Sequence, residues 1–582
     1  MNRNQEYKNK IYKDAGVERG VTAKAMTVIL ALILALVLTL TSCGSTAEAG
    51  STGGITSQTS TETSYNAASK SEMFTDRDLS EDYDESEAET ITLSGSSIQT
   101  SAKSGVSVDG STVTISAEGV YIVSGTLTDG QIIVDADDSA KVQIVLKGAS
   151  VTSSDSAAIY VKSADKVFVT TAAGTENTLA NGGSFVADGD TNVDGAVFAK
   201  DDITFNGSGS LTIDSPAGHG VVGKDDVKIA GGTVTINAAN HGIQANDSVR
   251  VAEAAVTVDA RNKDGIHVSD DADEEEGTES DSFFYMSDGS LTITAGDDGI
   301  HADAEALIEG GAIDVTKSYE GIEALSIKVS GGDIKAVASD DGFNAAGGNA
   351  SSGSQTFGSD DWGGGARGGF SDGGTNGSIE ISGGNIYVQA GGDGIDSNGS
   401  VAISGGYTVV CGPTQGDTSV IDFNGEGTIT GGTFIGTGGA GMAESFTSAS
   451  QGLIAVSVGN QSAGSTVALK DEAGNVLAEV TPELDYAVVY VSTQDMAQGE
   501  TYTLTAGTYS ESITLSDIMY STLNGGRGGS FGGGGPRGGM NGEMNNDMNG
   551  GMHGGMHHGG PGMGEAPDGI TGATELNGDT EA

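Results

Sequence analysis

Proline is scarce in this chain, 6 residues in 582, and cysteine more so, with only Cys43 and Cys411. Cys43 sits directly behind the one long apolar run, so Cys411 is left without a partner and a disulfide-stapled scaffold is excluded. Cys411 is expected to be a buried small apolar residue. A single tryptophan and 5% aromatic residues leave few flat faces on which a sugar ring could stack. Basic residues are few: 26 Lys and Arg stand against 81 Asp and Glu, for a formal charge of -55. Nucleic acid and anionic membrane surfaces need a positive footprint and are excluded as direct partners; cations are the natural ones. No segment sustains apolar residues at i, i+3, i+4, i+7, which excludes a helical repeat. The long apolar run occurs once, "MTVILALILALVLTL", with Arg19 and Lys24 upstream. It is short for a membrane span and fits the apolar region of a signal peptide.

Glycine is abundant, 95 residues, and it is periodic. A glycine behind a polar residue and ahead of an apolar one recurs at Gly195, Gly220, Gly242, Gly265, Gly299, Gly321, Gly342 and Gly394, mostly 21 to 25 residues apart. Between these marks stand Gly-Gly or Gly-Ser pairs followed by short alternating strands such as "GGTVTINA", "GSLTITAG" and "GGDIKAVA". A fixed period in this range marks a solenoid. Strands of about 4–6 residues suit one coil of about 22, with glycine and Asp/Asn at corners that need positive φ or a local hydrogen bond. The expectation is an all-β parallel β-helix followed by a small antiparallel β module. One rung cannot bury its apolar face alone, so each depends on its neighbours.

"LTSC", Leu40 to Cys43, resembles a bacterial lipoprotein box. It implies residues 1–42 as a signal peptide, cleavage before Cys43 and lipid on that cysteine; the alternative is an uncleaved anchor. Either way the remainder lies outside the cytoplasm, touching the membrane only through its N-terminus, and acts as a monomer. Residues 43–90, rich in Ser, Thr, Ala and Glu, read as a flexible tether. Residues 91–440 form the β-helix, interrupted by an acidic insertion at 269–281 and a glycine-rich loop at about 346–378. Residues 441–520 form the second β module. Residues 521–582 are a Gly/Met/His-rich tail read as disordered. There Met540, Met544, Met548, Met552 and Met556 stand beside His553, His557 and His558, a ligand type suited to copper, or else low-complexity drift.

Aligned on the repeating glycine, the preceding position reads Asp194, His219, His241, Asp264, Asp298, Glu320, Asp341, Asp393, and the second position after it reads His267, His301, Glu323, Asn344, Asp396. Asp297, Asp303 and Asp340 lie close by. Stacked rungs would bring these carboxylates to about 5 Å, where like charges repel by roughly 1 kcal/mol in water and several at an intermediate dielectric. Either pKa values rise or a cation intervenes. Oxygen ligands at flexible spacing favour Ca²⁺, at several ions along the row. Alternatively an Asp before Gly simply makes an Asx-turn. The four rung histidines fall on two offsets without close-pair spacing, which favours stacked polar residues over a zinc site. Trp362, Phe357 and Phe370, or Phe283, Phe284 and Tyr285, are the aromatics open to a sugar.

The runs "DDGIHADAEALIEGGAIDVTKSYEGIEALSIKVSGGDIKAVASDDGFNAAGG" and "GGDGIDSNGSVAISGGYTVV" resemble the bacterial calcium-binding carbohydrate-binding proteins with a right-handed parallel β-helix. The resemblance spans about residues 91–520. It implies non-catalytic binding of acidic plant polysaccharide such as polygalacturonate, and of cellulose, at the cell surface. It places calcium at Asp298, Glu320, Glu323, Asp340, Asp341, Asp393 and Asp396, and matches more loosely at Asp264 and Asp194. Two other functions stay open: a surface adhesin or spacer, and a β-helical lyase or hydrolase. For a lyase, Lys317, Lys328 and Lys335 are the scattered bases on offer.

Overall fold

Alternating Val, Ile and Thr, as in "TVTINA" (Thr233–Ala238), put every second side chain on one face, and that face is the buried one. Thr233–Ala238 pairs in parallel with Ser210–Ser215 before it and Ala255–Ala260 after it. The ladder then runs through Ser290–Ala295, Ala312–Ser318 and Asp333–Ala338 to Asn385–Gln389, Tyr407–Cys411 and Thr433–Gly438. Two further ladders run the same way. One contains His219–Gly223, Ile243–Ala245, Ile266–Val268 and Phe343–Ala345; the other contains Val227–Ile229, Ser248–Val251, Phe283–Met286 and Ser378–Ile381. The computed structural model describes residues 70–269, 282–345, 377–413 and 418–523. Among these the chain is nearly all β, one long and mostly parallel sheet, with a single short helix at Lys70–Met73. No described helix is long and apolar enough to cross a membrane.

Equivalent apolar residues stack from repeat to repeat. Val234, Val256, Leu291, Ile313, Ile334 and Ile386 form one buried row. Each fully buried side chain of this kind contributes about 1.5–3 kcal/mol relative to exposure. Two glycine columns serve different ends. The second glycine of each Gly-Gly pair, such as Gly232 at φ 77° and Gly332 at φ 96°, takes the left-handed backbone expected at a corner. The repeating glycine after the polar residue is needed for space instead. A Cβ on Gly242 would sit 2.1 Å from Val258 Cγ1 and 2.6 Å from the Gly265 carbonyl oxygen.

The parallel ladder of Thr433–Gly438 ends where Tyr486–Thr493 lies antiparallel to both it and Gly452–Gln461. Val476–Val480, Val467–Lys470, Thr501–Ala506 and Tyr509–Thr514 form a separate four-stranded antiparallel sheet. Cys411 is buried and free within the apolar cluster that joins the two sheets, as expected, and burial pushes its thiol pKa up.

The segment expected to be a tether behaves differently where it is described. Phe74 is buried against Ala230, Ala252, Tyr285 and Leu307. Asp78, wholly buried, accepts a 2.8 Å hydrogen bond from Thr204 Oγ1 and pairs with Lys166 Nζ at 2.8 Å. Asn206 Nδ2 donates to the carbonyls of Asp78 at 3.1 Å and Ser80 at 2.9 Å. Isolated anchors of this kind have no periodicity, which is why composition alone reads as a linker. Cys43, the signal segment, most of the acidic insertion, Trp362 with Phe357 and Phe370, and the Met/His tail lie outside the described residues.

Candidate functional site

The backbone ladder sets the polar columns. Gly242 N–H donates to the Asp264 carbonyl, Gly265 to Asp298, Gly299 to Glu320, Gly321 to Asp341 and Gly342 to Asp393. The pre-glycine residues are therefore in register, and the column continues to Ser419, whose carbonyl accepts from Gly394. Asp194 departs from the expected alignment: Gly195, not Asp194, pairs with His219, so Asp194 stands one residue outside the column. On the adjacent strand positions Gln244, His267, His301, Glu323, Asn344, Asp396 and Asp422 pair in succession. The glycine alignment places Gln244 here too, two residues after Gly242, but does not reveal Asp422. Asp422 lacks the preceding glycine that marks the other repeats, although "IDFN" echoes "IDSN".

The pre-glycine aspartates of the column divide their oxygens. Asp264 Oδ1 accepts the Asp298 N–H at 3.1 Å, Asp298 Oδ1 accepts the Glu320 N–H at 3.0 Å, and Asp341 Oδ1 accepts the Asp393 N–H at 2.5 Å. The Asx-type and cation roles are thus compatible, since one oxygen holds the backbone and the other remains for the groove. Three clusters result that bear on the expected sites. Asp341, Asp393 and Asp396 place one oxygen each within 4.8 Å of one another; Asp264, Asp297 and Asp298 do likewise; Asp298 and Glu323 do so with His301. Asp303 joins the last through His301 Nε2 at 3.1 Å, and Glu320 accepts from Asn344 Nδ2 at 2.8 Å. Asp340 stands beside Asp341 and adds to its electrostatic load.

Burial and mutual repulsion raise these acids. Burial, then the charge of Asp393, pushes Asp341 up to about 8; burial and the Asp396 charge take Asp393 to about 8; burial and Asp422 take Asp396 to about 6. Burial and neighbouring acids, with His301 opposing, bring Asp298 to about 7. Burial and the charges of Glu323, Asp298 and Asp341 push Glu320 well above the usual range. His301 is the exception among the bases. Burial opposes its charge, but hydrogen bonds with Asp298, Asp303 and Glu323 raise its pKa well above the ordinary histidine value. The upstream acids thus have an internal counter-ion, while the Asp341 cluster has carboxylates alone. Asn344 Oδ1, buried between Glu323 and Asp396 in the ladder, has no hydrogen-bond partner among the described residues. A carbonyl oxygen beside three carboxylates fits an all-oxygen calcium ligand set.

A cavity of about 220 Å³ opens over the upstream acids, lined among others by Lys263, Asp297, Asp298, Tyr319 and Glu320. Tyr319 is 47% exposed, an aromatic that the sequence pattern does not single out because it sits in a repeat corner. The expected aromatic set at 283–285 is not available: Phe284 and Tyr285 are fully buried, and the Arg250 guanidinium lies 5.0 Å over the Phe283 ring. Lys328 pairs with Glu305 on another ladder, away from the acids. Lys263 is the lysine at the cavity.

A family model described as "Carbohydrate-binding domain-containing protein" matches residues 109–361. A protein of that description from Acetivibrio thermocellus is 38% identical over 136 residues, 23% of this chain and 48% of the relative. The chain thus spans about half the length of that relative. A solved structure described as a polysaccharide lyase-like protein from C. thermocellum, in a gadolinium derivative, is 29% identical, with 42% of this chain and 93% of that one covered at a TM-score of 0.37.

Proposed function

We propose that this protein is a non-catalytic, calcium-dependent binder of acidic polysaccharide, held at the bacterial cell surface by lipid on Cys43. The match of residues 109–361 to a carbohydrate-binding family supports the ligand class. The observation that carries calcium is the Asp341, Asp393 and Asp396 cluster, with oxygens within 4.8 Å and no basic residue among them. The three parallel ladders, each strand pairing with its equivalent one repeat away, are consistent with the three faces of a right-handed parallel β-helix. In this reading the carboxylates stack on one edge because the ladder gives them no other place.

Asp341, Asp393 and Asp396 would hold calcium, and Asn344, the ladder neighbour of Asp396, is a further oxygen donor. When bound, calcium supplies the positive charge that lets a polyuronate approach a chain of net charge -55. Tyr319, 47% exposed in the cavity lining, is the aromatic available there to a sugar ring. Binding of polygalacturonate to the full chain, measured with calcium and then with excess chelator, tests the reading: chelator should abolish it. Lys263 at the cavity is the feature that favours a lyase as second reading. Unsaturated products on incubation with polygalacturonate, lost in Lys263→Ala, would establish that instead.

A further inference from the structure

Four imidazoles stack along the upstream part of the acidic edge. Ring centroids are 5.0 Å apart for His219 and His241, 4.3 Å for His241 and His267, and 4.9 Å for His267 and His301. The two offsets seen in the sequence converge because the pre-glycine position and the second position after glycine lie side by side on the same edge. Within the stack, two rings turn the same nitrogen toward one oxygen. Asp264 Oδ2 lies 3.3 Å from His241 Nδ1 and 2.7 Å from His267 Nδ1. Asp264 Oδ1 is held by the Asp298 N–H, which fixes the carboxylate. His241 Nδ1 accepts a long, 3.3 Å hydrogen bond from the Asp264 N–H, which places the ring proton on Nε2; a metal ion would take over the Nδ1 lone pair from that N–H. All three ligand atoms lie within 4.8 Å of one another and border the cavity. At the end of the stack, His219 Nδ1 is buried with no hydrogen-bond partner among the described residues.

We propose that His241, Asp264 and His267 form a site for a borderline divalent transition-metal cation of the zinc class. Two imidazole nitrogens and one carboxylate oxygen select against calcium, which takes about six to eight oxygens, and toward zinc, which takes about four N, O or S ligands. The cavity leaves the fourth position open to water or a ligand. His301 is set apart because acids outside the site hold both of its nitrogens, Glu323 at Nδ1 (2.5 Å) and Asp303 at Nε2 (3.1 Å), whereas His241 and His267 turn Nδ1 to Asp264, itself a member of the site. His241 comes from one repeat and Asp264 with His267 from the next, so the ion clamps two successive repeats. The site is separate from the Asp341 cluster and does not depend on saccharide binding.

The test uses the full chain with His553→Ala, His557→Ala and His558→Ala, which removes the tail imidazoles, titrated with ZnCl₂ in the presence of calcium. The expected result is one zinc ion per chain, a zinc absorption-edge spectrum showing two imidazoles, and affinity reduced about tenfold or more by His267→Gln. Glutamine already occupies that ladder position as Gln244, so the fold should survive the change. Zinc affinity untouched by His267→Gln, a spectrum without imidazole, or displacement by an equal concentration of calcium would each overturn the proposal.

Discussion

Asp341 accepts, through Oδ1, a 2.5 Å hydrogen bond from the backbone N–H of Asp393, the residue that fills the same place one repeat later. The same bond links Asp264 to Asp298 and Asp298 to Glu320. The carboxylate is therefore part of the ladder that brings its neighbour close, and the repulsion is built in with the fold.

Asp341→Asn separates the two roles. Asparagine keeps an oxygen to accept the Asp393 N–H but removes a charge from the cluster. In chelator the variant should melt a few degrees higher than the parent, because buried like charges are relieved. In calcium it should gain far less thermal stability than the parent does. Calorimetric melting with and without calcium reads both effects.

The acids set a pH dependence of definite sign. Asp341 and Asp393 are raised to about 8 and Asp396 to about 6 by burial and their neighbours. Acids raised on folding stabilise the native state fully below their unfolded pKa, about 4, and that contribution is lost as pH rises through about 6 to 8. Chelated protein should thus lose melting temperature across this window, and calcium should restore it most at the alkaline end. A flat profile in chelator between about pH 5 and 8 would count against the cluster.

Asp78 acts in the opposite sense. Burial opposes its ionisation, but Lys166 and the hydrogen bonds from Thr75 and Thr204 hold it at about 2, so its contribution is present above about pH 4 and lost as pH falls toward 2. Asp78→Ala leaves Lys166 with Asp202, at 3.5 Å, as its remaining ion-pair partner among the described residues and should cost about 3–5 kcal/mol in a denaturant titration.

A hairpin-turn glycine, Gly110 between Val106–Asp109 and Thr112–Ile115, and a glycine of the repeating column predict unequal costs. Gly110, at φ 59° with open space where a methyl group would project, should lose about 1 kcal/mol on change to alanine. Gly242→Ala forces a methyl to 2.1 Å from Val258 Cγ1 and should cost about 1–3 kcal/mol or more. Paired denaturation curves give the order directly.

The period, the alternating strands and the acid columns were legible because each repeat writes the same glycine and the same polar neighbour. What was not legible depended on single residues. The register that puts Gly195 opposite His219 is invisible to an alignment on glycine. The histidine stack joins two sequence offsets that only the strand geometry brings together. The packing of Phe74 and Asp78 rests on partners far along the chain, at Lys166, Thr204, Ala230 and Tyr285. Tyr319 became a sugar-contact candidate only when its exposure was known.

The most direct measurement is calorimetry of the full chain titrated with polygalacturonate, first with Ca²⁺ and then with excess EGTA, with product analysis on the same samples. The account predicts saturable heat with calcium, none with EGTA, and no new reducing ends or unsaturated sugars. Binding at full strength in EGTA, or none in either condition, would contradict it.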